Sequence, residues 1–121
     1  LSGDKFYAHM DASALEGTIF TGRVAHGYFI LSRAAGLFVD PPKGPVLLNY
    51  GIEYCRFTKP VYPGTTVGLR FTVQEKIDQE KRSEEDVAKG IVKFYVEVYD
   101  DQDDVVAVAV ILTMVKKHTD A

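Results

Sequence analysis

The stretch "HGYFILSRAAGLFVD", His26 to Asp40, decides the fold. It is the one long segment with helical character, and Pro41 and Pro42 close it, since proline lacks an N–H and its ring clashes with the preceding turn. Its apolar residues are Tyr28, Phe29, Ile30, Leu31, Ala34, Ala35, Leu37, Phe38 and Val39. They run nearly all the way round the helix instead of forming one stripe. A helix of that kind is buried, so the rest of a short chain must wrap it.

Nearly everything after Gly44 reads as strand. "LLNYGIEYCRFTKPV", Leu47 to Val61, supplies the first, and "YPGT" makes a tight turn after it. Val67 to Ile77 alternates, with Val67, Leu69, Phe71 and Val73 on one face and Arg70, Thr72, Gln74 and Lys76 on the other. Ile91 to Tyr99 alternates likewise, with Val92, Phe94, Val96 and Val98 inward. "VVAVAVILTMV", Val105 to Val115, is apolar on both faces, as a central strand covered on both sides is. "DDQDD" is the hairpin loop between these last two, and the mixed-charge run "EKIDQEKRSEEDVAK" is a solvated hairpin tip or a flexible loop. The expected order is one helix and then antiparallel strands in a meander. A sheet must bury one face, and one helix is available to fill it. The pattern predicts an α+β architecture of the hotdog type, a sheet curled round a single buried helix.

Working back from the helix, "DASALEG" predicts a short helical turn capped by Asp11 and ended by Gly17. Before it stands "SGDKFYAHMD", read as an irregular segment carrying Asp4 and His9. His26 and Gly27 sit where the long helix begins. The first N–H groups of a helix have no intrahelical partner and carry partial positive charge. A carbonyl oxygen that becomes negative during a reaction is stabilised there, and Gly27 allows close approach because it has no side chain. Asp4 and His9 can hold a water between them, one taking its proton and the other relaying one. This set suits addition of water to a carbon–carbon double bond conjugated to a carbonyl. A lone Asp and a lone His on a loop are more often surface residues or local caps, so spacing alone carries the catalytic reading only so far.

Composition narrows the classes. The chain has 121 residues, 46% hydrophobic and 26% charged, with a net charge of -3 and a pI near 5.6. One domain is expected. The acidic balance argues against a nucleic-acid partner, and no window reaches the ~18 apolar residues of a membrane span. A single cysteine, Cys55, rules out an internal disulfide and fits a reduced, cytoplasmic setting. Cys55 lies beside Phe57 and Arg56 mid-strand and reads as packing. The histidines show no metal-ligand spacing, so no metal is expected, and His118 reads as an inert residue of a polar tail.

"GDKFYAH" resembles the hydratase motif of MaoC-like (R)-specific enoyl-CoA hydratases, Gly-Asp-x-Asn-Pro-x-His, with Gly3, Asp4 and His9 in place and Phe6 and Tyr7 standing for Asn and Pro. "FYAH" and "VAHGYF", with the long segments from Gly22 to Val67 and Gly90 to Lys117, resemble one branch of that family: the C-terminal hydratase domain of the bifunctional phenylacetate-degradation protein, whose N-terminal partner is an aldehyde dehydrogenase. The resemblance implies a homodimer or higher oligomer acting on a CoA thioester, with no cofactor beyond the CoA the substrate carries. In that branch the substrate is an oxepin-CoA, a cyclic enol ether that opens to an aldehyde after hydration. It implies Asp4 and His9 as the water-activating pair and the Gly27 N–H as the group polarising the thioester. Phe6, Tyr7, His26 and Tyr28 are the expected substrate contacts. A serine that some members carry on the helix aligns with Ala35 and is absent. Members also begin with a strand and a helix ahead of the motif, so the chain is expected to be part of a longer polypeptide and to leave a flank of the helix open. Two other readings stay in view: a hotdog acyl-CoA thioesterase, weakened because Arg33 is the only charge between Gly27 and Val39, and a non-catalytic acyl-CoA-binding or assembly domain.

Overall fold

The computed structural model describes residues 2–38 and 44–117. Val39 to Lys43, where the sequence ends the helix at two prolines, and His118 in the tail lie outside the described residues. The elements are a one-turn helix α1 (Tyr7–Met10), a 3-10 turn (Ala12–Leu15), the long helix α2 (Gly27–Phe38) and strands β1 (Val46–Phe57), β2 (Gly68–Asp78), β3 (Lys89–Tyr99) and β4 (Val105–Lys116). His9 therefore stands on a helical turn, not on the irregular segment the sequence suggests. Asp11 does cap the next turn: its Oδ1 accepts the Ser13 N–H at 2.9 Å. Gly17 follows with φ of +80°.

One antiparallel sheet holds all four strands in the order β1-β4-β3-β2. The simple meander expected from the sequence is corrected here. β2, β3 and β4 are sequential neighbours, but β1 skips them and pairs with β4. Hydropathy does identify the centre. β4 has a strand on each side and buries Val106, Ala107, Ala109, Val110 and Thr113, so both its faces are apolar.

The helix seats on the sheet through one narrow contact. Ile30 and Ala34, one turn apart, pack with Val61, Val98, Val106 and Ala107, and Ala25, Val67 and Leu69 close the edge of this core. Farther along, Phe38 lies 4.7 Å from Phe71 and 4.9 Å from Phe94, edge to face in both cases. Away from these contacts the helix is open, with Tyr28 and Phe29 exposed. Its all-round apolar character is thus buried on one side only among the described residues.

Two sets of ties position what precedes α2. The Val24 N–H donates to the Ala8 carbonyl at 2.8 Å, and the Ala25 N–H to the Val61 carbonyl at 2.7 Å. They hang α1 on the loop before α2 and that loop on the segment leaving β1. The "DDQDD" loop fixes the same segment from the far side. Asp100 Oδ1 accepts the N–H groups of Gln102 and Asp104, both at 2.9 Å, while Lys59 Nζ donates to Asp100 and Asp104 at 2.9 Å. Thr58 is bound to Val106 and Val105 through its N–H and hydroxyl. The end of β1, with Phe57, is held in place by this network. No helix among the described residues is long and apolar enough to cross a membrane.

Candidate active site

The local chain geometry brings Asp4, His9 and His26 together. Gly3 turns the backbone with φ of +81°, a conformation costly for other residues. Asp4 then folds its carboxylate back onto its own chain, with Oδ1 accepting the Phe6 N–H at 3.1 Å. Oδ2 is left over and lies 3.8 Å from His9 Nε2. That is too far for a direct hydrogen bond.

His9 is held by its other nitrogen. Nδ1 is 2.7 Å from the Val24 carbonyl oxygen. A carbonyl only accepts, so Nδ1 carries a proton, and Nε2 is the nitrogen left to face Asp4, as an acceptor whenever it holds no proton of its own. Two acceptors 3.8 Å apart repel each other unless a donor lies between them. Water has two O–H groups and suits that gap. His9 is mostly covered, with 15% of its side chain exposed, whereas Asp4 stands at 49%.

His26 immediately precedes α2, and its carbonyl accepts the Ile30 N–H at 3.1 Å, the first bond of the helix. Its Nε2 donates to the Asp4 carbonyl at 2.8 Å. Its ring lies on His9, with centroids 3.9 Å apart and planes 21° from parallel. Each of Asp4, His9 and His26 offers a ligand atom within 4.8 Å of the others, a proximity the separated histidines of the sequence gave no sign of. The geometry nonetheless suits proton transfer better than metal ligation. An imidazole lone pair lies in the ring plane, so stacked rings cannot aim theirs at one ion without splaying. The His26 Nε2 is also committed to a carbonyl.

Gly27 heads α2, and a cleft of about 370 Å³ is lined by His9, Val24, Gly27, Ile30, Phe57 and Lys59, among others. The Phe57 ring is its wall. It lies so close to Gly27 that a β-carbon there would fall 2.7 Å from Cε2. Tyr28 meets the same ring edge to face at 6.2 Å and is 77% exposed. Phe6 packs on Tyr7 at 4.5 Å and turns its edge to His9 at 6.1 Å. Farther along α2, an apolar cavity of about 300 Å³ opens between helix and sheet, lined by Leu31, Ala34, Ala35, Ile52 and Cys55, among others. Burial pushes the Cys55 thiol up from its ordinary value.

Sequence reasoning thus named Asp4, His9, His26 and Gly27, and the fold collects them at one end of α2. It missed Phe57, noted there only as a neighbour of Cys55, and the Val24 carbonyl. A backbone acceptor leaves no trace in a sequence, and Phe57 reaches Gly27 only because β1 ends beside the helix start.

Residues 1–93 match the family described as MaoC like domain. Protein MaoC of Klebsiella aerogenes is 52% identical over 88 residues, which cover 73% of this chain and 26% of that protein. This chain therefore spans about a quarter of that relative. R-hydratase PhaJ1 from Pseudomonas aeruginosa superposes with a TM-score of 0.68 at 24% identity, over 97% of this chain and 68% of that one. The double-hotdog protein RV0216 of Mycobacterium tuberculosis superposes with a TM-score of 0.82 at 18% identity, over 98% of this chain and 36% of the other. The sheet and its helix are accordingly a hotdog fold, and the chain belongs to the family of MaoC-like domains.

Proposed function

We propose that this domain adds water across the α,β double bond of an enoyl-CoA thioester. The observation that carries the reading is the pair of acceptors, Asp4 Oδ2 and His9 Nε2, 3.8 Å apart beside the cleft that Gly27 lines. A water bridging them is oriented by two hydrogen bonds. As its oxygen bonds to the β-carbon, one of the two acceptors takes its proton, and the pair returns a proton to the α-carbon. Negative charge meanwhile gathers on the thioester oxygen. The unpaired N–H at the start of α2 meets it there. The Phe57 ring fills the space a β-carbon on Gly27 would take, so the oxygen reaches that N–H from the side of the cleft the two residues line.

The apolar slot along α2 supports an acyl group running from the cleft toward Leu31 and Ala34. Kinship with MaoC-like domains and the likeness to an R-hydratase support the reaction class. The finer reading is a ring enol-ether, oxepin-type thioester in aromatic (phenylacetate) catabolism. It is supported by the branch-like "FYAH" and by the aromatic flank of Phe6, Tyr7 and Tyr28, against which a planar ring packs well. An aldehyde dehydrogenase domain or partner, which would oxidise the released aldehyde, belongs to that finer reading. A second copy of the chain is the proposed partner along β1. That strand lies at the sheet edge and exposes Leu48, Tyr50, Ile52 and Tyr54. No carboxylate lies on α2, which disfavours a thioesterase that would need one there.

The test is a product assay with crotonyl-CoA and with an oxepin-CoA. Hydroxyacyl-CoA, or ring-opened aldehyde with CoA still attached, is expected. Release of free CoA thiol, or binding without turnover, overturns the reading.

A further inference from the structure

We infer that His26 is the positioning residue of this site, holding Asp4 by its main-chain carbonyl and His9 by its ring face. The inference rests on the hydratase reading for its kinetic consequences, but its geometry stands apart from it. Among the described residues, the other hydrogen bonds of Asp4 are local, to Ser2 and Phe6 two positions away. The bond from His26 Nε2 is the one that ties this segment across the fold, at a separation of 22 residues. Residues 2–6 are exposed and belong to no helix or strand, so no regular backbone ladder of their own holds them in place.

His26 is well placed to hold it. Its backbone is fixed by the first hydrogen bond of α2, and it adjoins Gly27, the residue whose N–H faces the developing charge. One residue thereby sets the register between the water-holding pair and the helix start. His9 has its edge fixed by Val24 and one face covered by His26, so its Nε2 can point only where Asp4 lies. The two rings must also hold opposite tautomers, Nδ1–H on His9 and Nε2–H on His26, since each donates to a carbonyl. With one nitrogen committed and one face covered, His26 acts through Asp4 and His9 instead of gripping substrate.

Two variants separate the two holds. His26→Phe keeps a ring face and removes the donor. His26→Gln keeps an N–H donor and removes the ring. With crotonyl-CoA, His26→Phe is expected to lower kcat about 100-fold, the scale of a misplacement near 1 Å, while KM stays within about twofold. His26→Gln is expected to recover a large part of that loss. Trypsin cleavage after Lys5, followed by mass spectrometry at an unchanged Tm, is expected to accelerate in His26→Phe and less so in His26→Gln. Nitrogen-resolved NMR of the imidazoles is expected to show the opposite tautomers. Unchanged kcat in His26→Phe overturns the inference, and so does a raised KM with kcat intact, which marks a substrate contact. If the wild-type chain hydrates nothing, the hydratase reading fails instead, and the hold on Asp4 is decided by cleavage at Lys5: unchanged cleavage overturns it and faster cleavage supports it.

Discussion

Phe57, the last residue of β1, lies across the first residue of α2, Gly27, with three ring atoms between 2.7 and 2.9 Å from where a β-carbon would stand. The ring is anchored because Thr58 and Lys59, its neighbours in the chain, are bound to Val105, Val106, Asp100 and Asp104. Gly27→Ala should therefore move either the helix start or the ring, at an overpacking cost of about 1–3 kcal/mol. Gly27→Ala combined with Phe57→Leu should recover most of the lost Tm, and a double-mutant cycle reads the coupling directly. An alanine at 27 that melts like the wild type on its own would mean that the ring yields freely.

Asp4→Asn tests the reacting pair with little disturbance. The amide oxygen can still accept the Phe6 N–H, so the turn is kept, while the second acceptor of the proposed water is lost. Turnover of crotonyl-CoA should fall by about 10²–10⁴ with Tm unchanged, the range for removing an acid–base group. His9→Ala should abolish turnover as well, but with a lower Tm. The part-buried Val24 carbonyl loses its donor there, at a cost toward the lower end of the roughly 1–3 kcal/mol of an orphaned acceptor. Hydration at the wild-type rate by either variant removes these residues from the reaction.

The sequence carried the central strand, the hairpin turns and the helix, because each depends on hydropathy period or on turn chemistry within a few residues. β4 shows why this works: Val106 and Ala107, and again Ala109 and Val110, are adjacent and both buried, successive side chains point to opposite faces, and a strand buried on both faces must be apolar on both, as Val105 to Val115 is. Strand order is another matter. Nothing local to Val46–Phe57 says that it pairs with β4, so a meander was the natural expectation and the crossover had to be seen. The same limit holds at the site. Asp4 and His9 stand out through a motif, but the grip on His9 by Val24 and the stacking by His26 bring together residues far apart in the chain.

The hairpin tip between β2 and β3 should govern part of the acid stability. The Arg82 backbone N–H and the Lys89 ammonium hold the Asp86 carboxyl down at about 2, from an ordinary 3.8. A depressed folded-state value contributes stability above the unfolded pKa, and that contribution is lost as pH falls through the folded one. Asp86 should thus support the fold above about pH 4 and lose its effect toward pH 2. Asp86→Asn should lower Tm at neutral pH and flatten the fall of Tm across that window. Parallel Tm curves for wild type and variant between pH 4 and pH 2 would contradict this.

If a second copy pairs along β1, a charge placed on that edge should separate the copies without harming the fold. Leu48 is half exposed, at 47%, on the strand whose free edge offers unpaired backbone groups. Leu48→Lys is expected to shift the chain from dimer to monomer in light scattering at micromolar concentration, with the sheet signal in circular dichroism retained. A wild-type chain that is already monomeric removes this surface from consideration, and a Leu48→Lys dimer moves the interface elsewhere.

Thr113 sits at the middle of the sheet, paired in register with Asn49 of β1 and Val92 of β3, and is 1% exposed. Its hydroxyl has no hydrogen-bond partner among the described residues. A buried hydroxyl without a partner bears its desolvation cost of about 1–3 kcal/mol with nothing to offset it. Valine has nearly the same shape and no such cost, and its β-branch suits the strand. Thr113→Val should therefore raise Tm by several degrees, on the order of 4 °C for each kcal/mol. Thr113→Ala should lower it, because it removes the hydroxyl and a methyl together and leaves a void in the central strand. The pair separates the two effects: a loss of stability in both variants would show that the hydroxyl is bonded in solution, most simply through a water held inside the sheet.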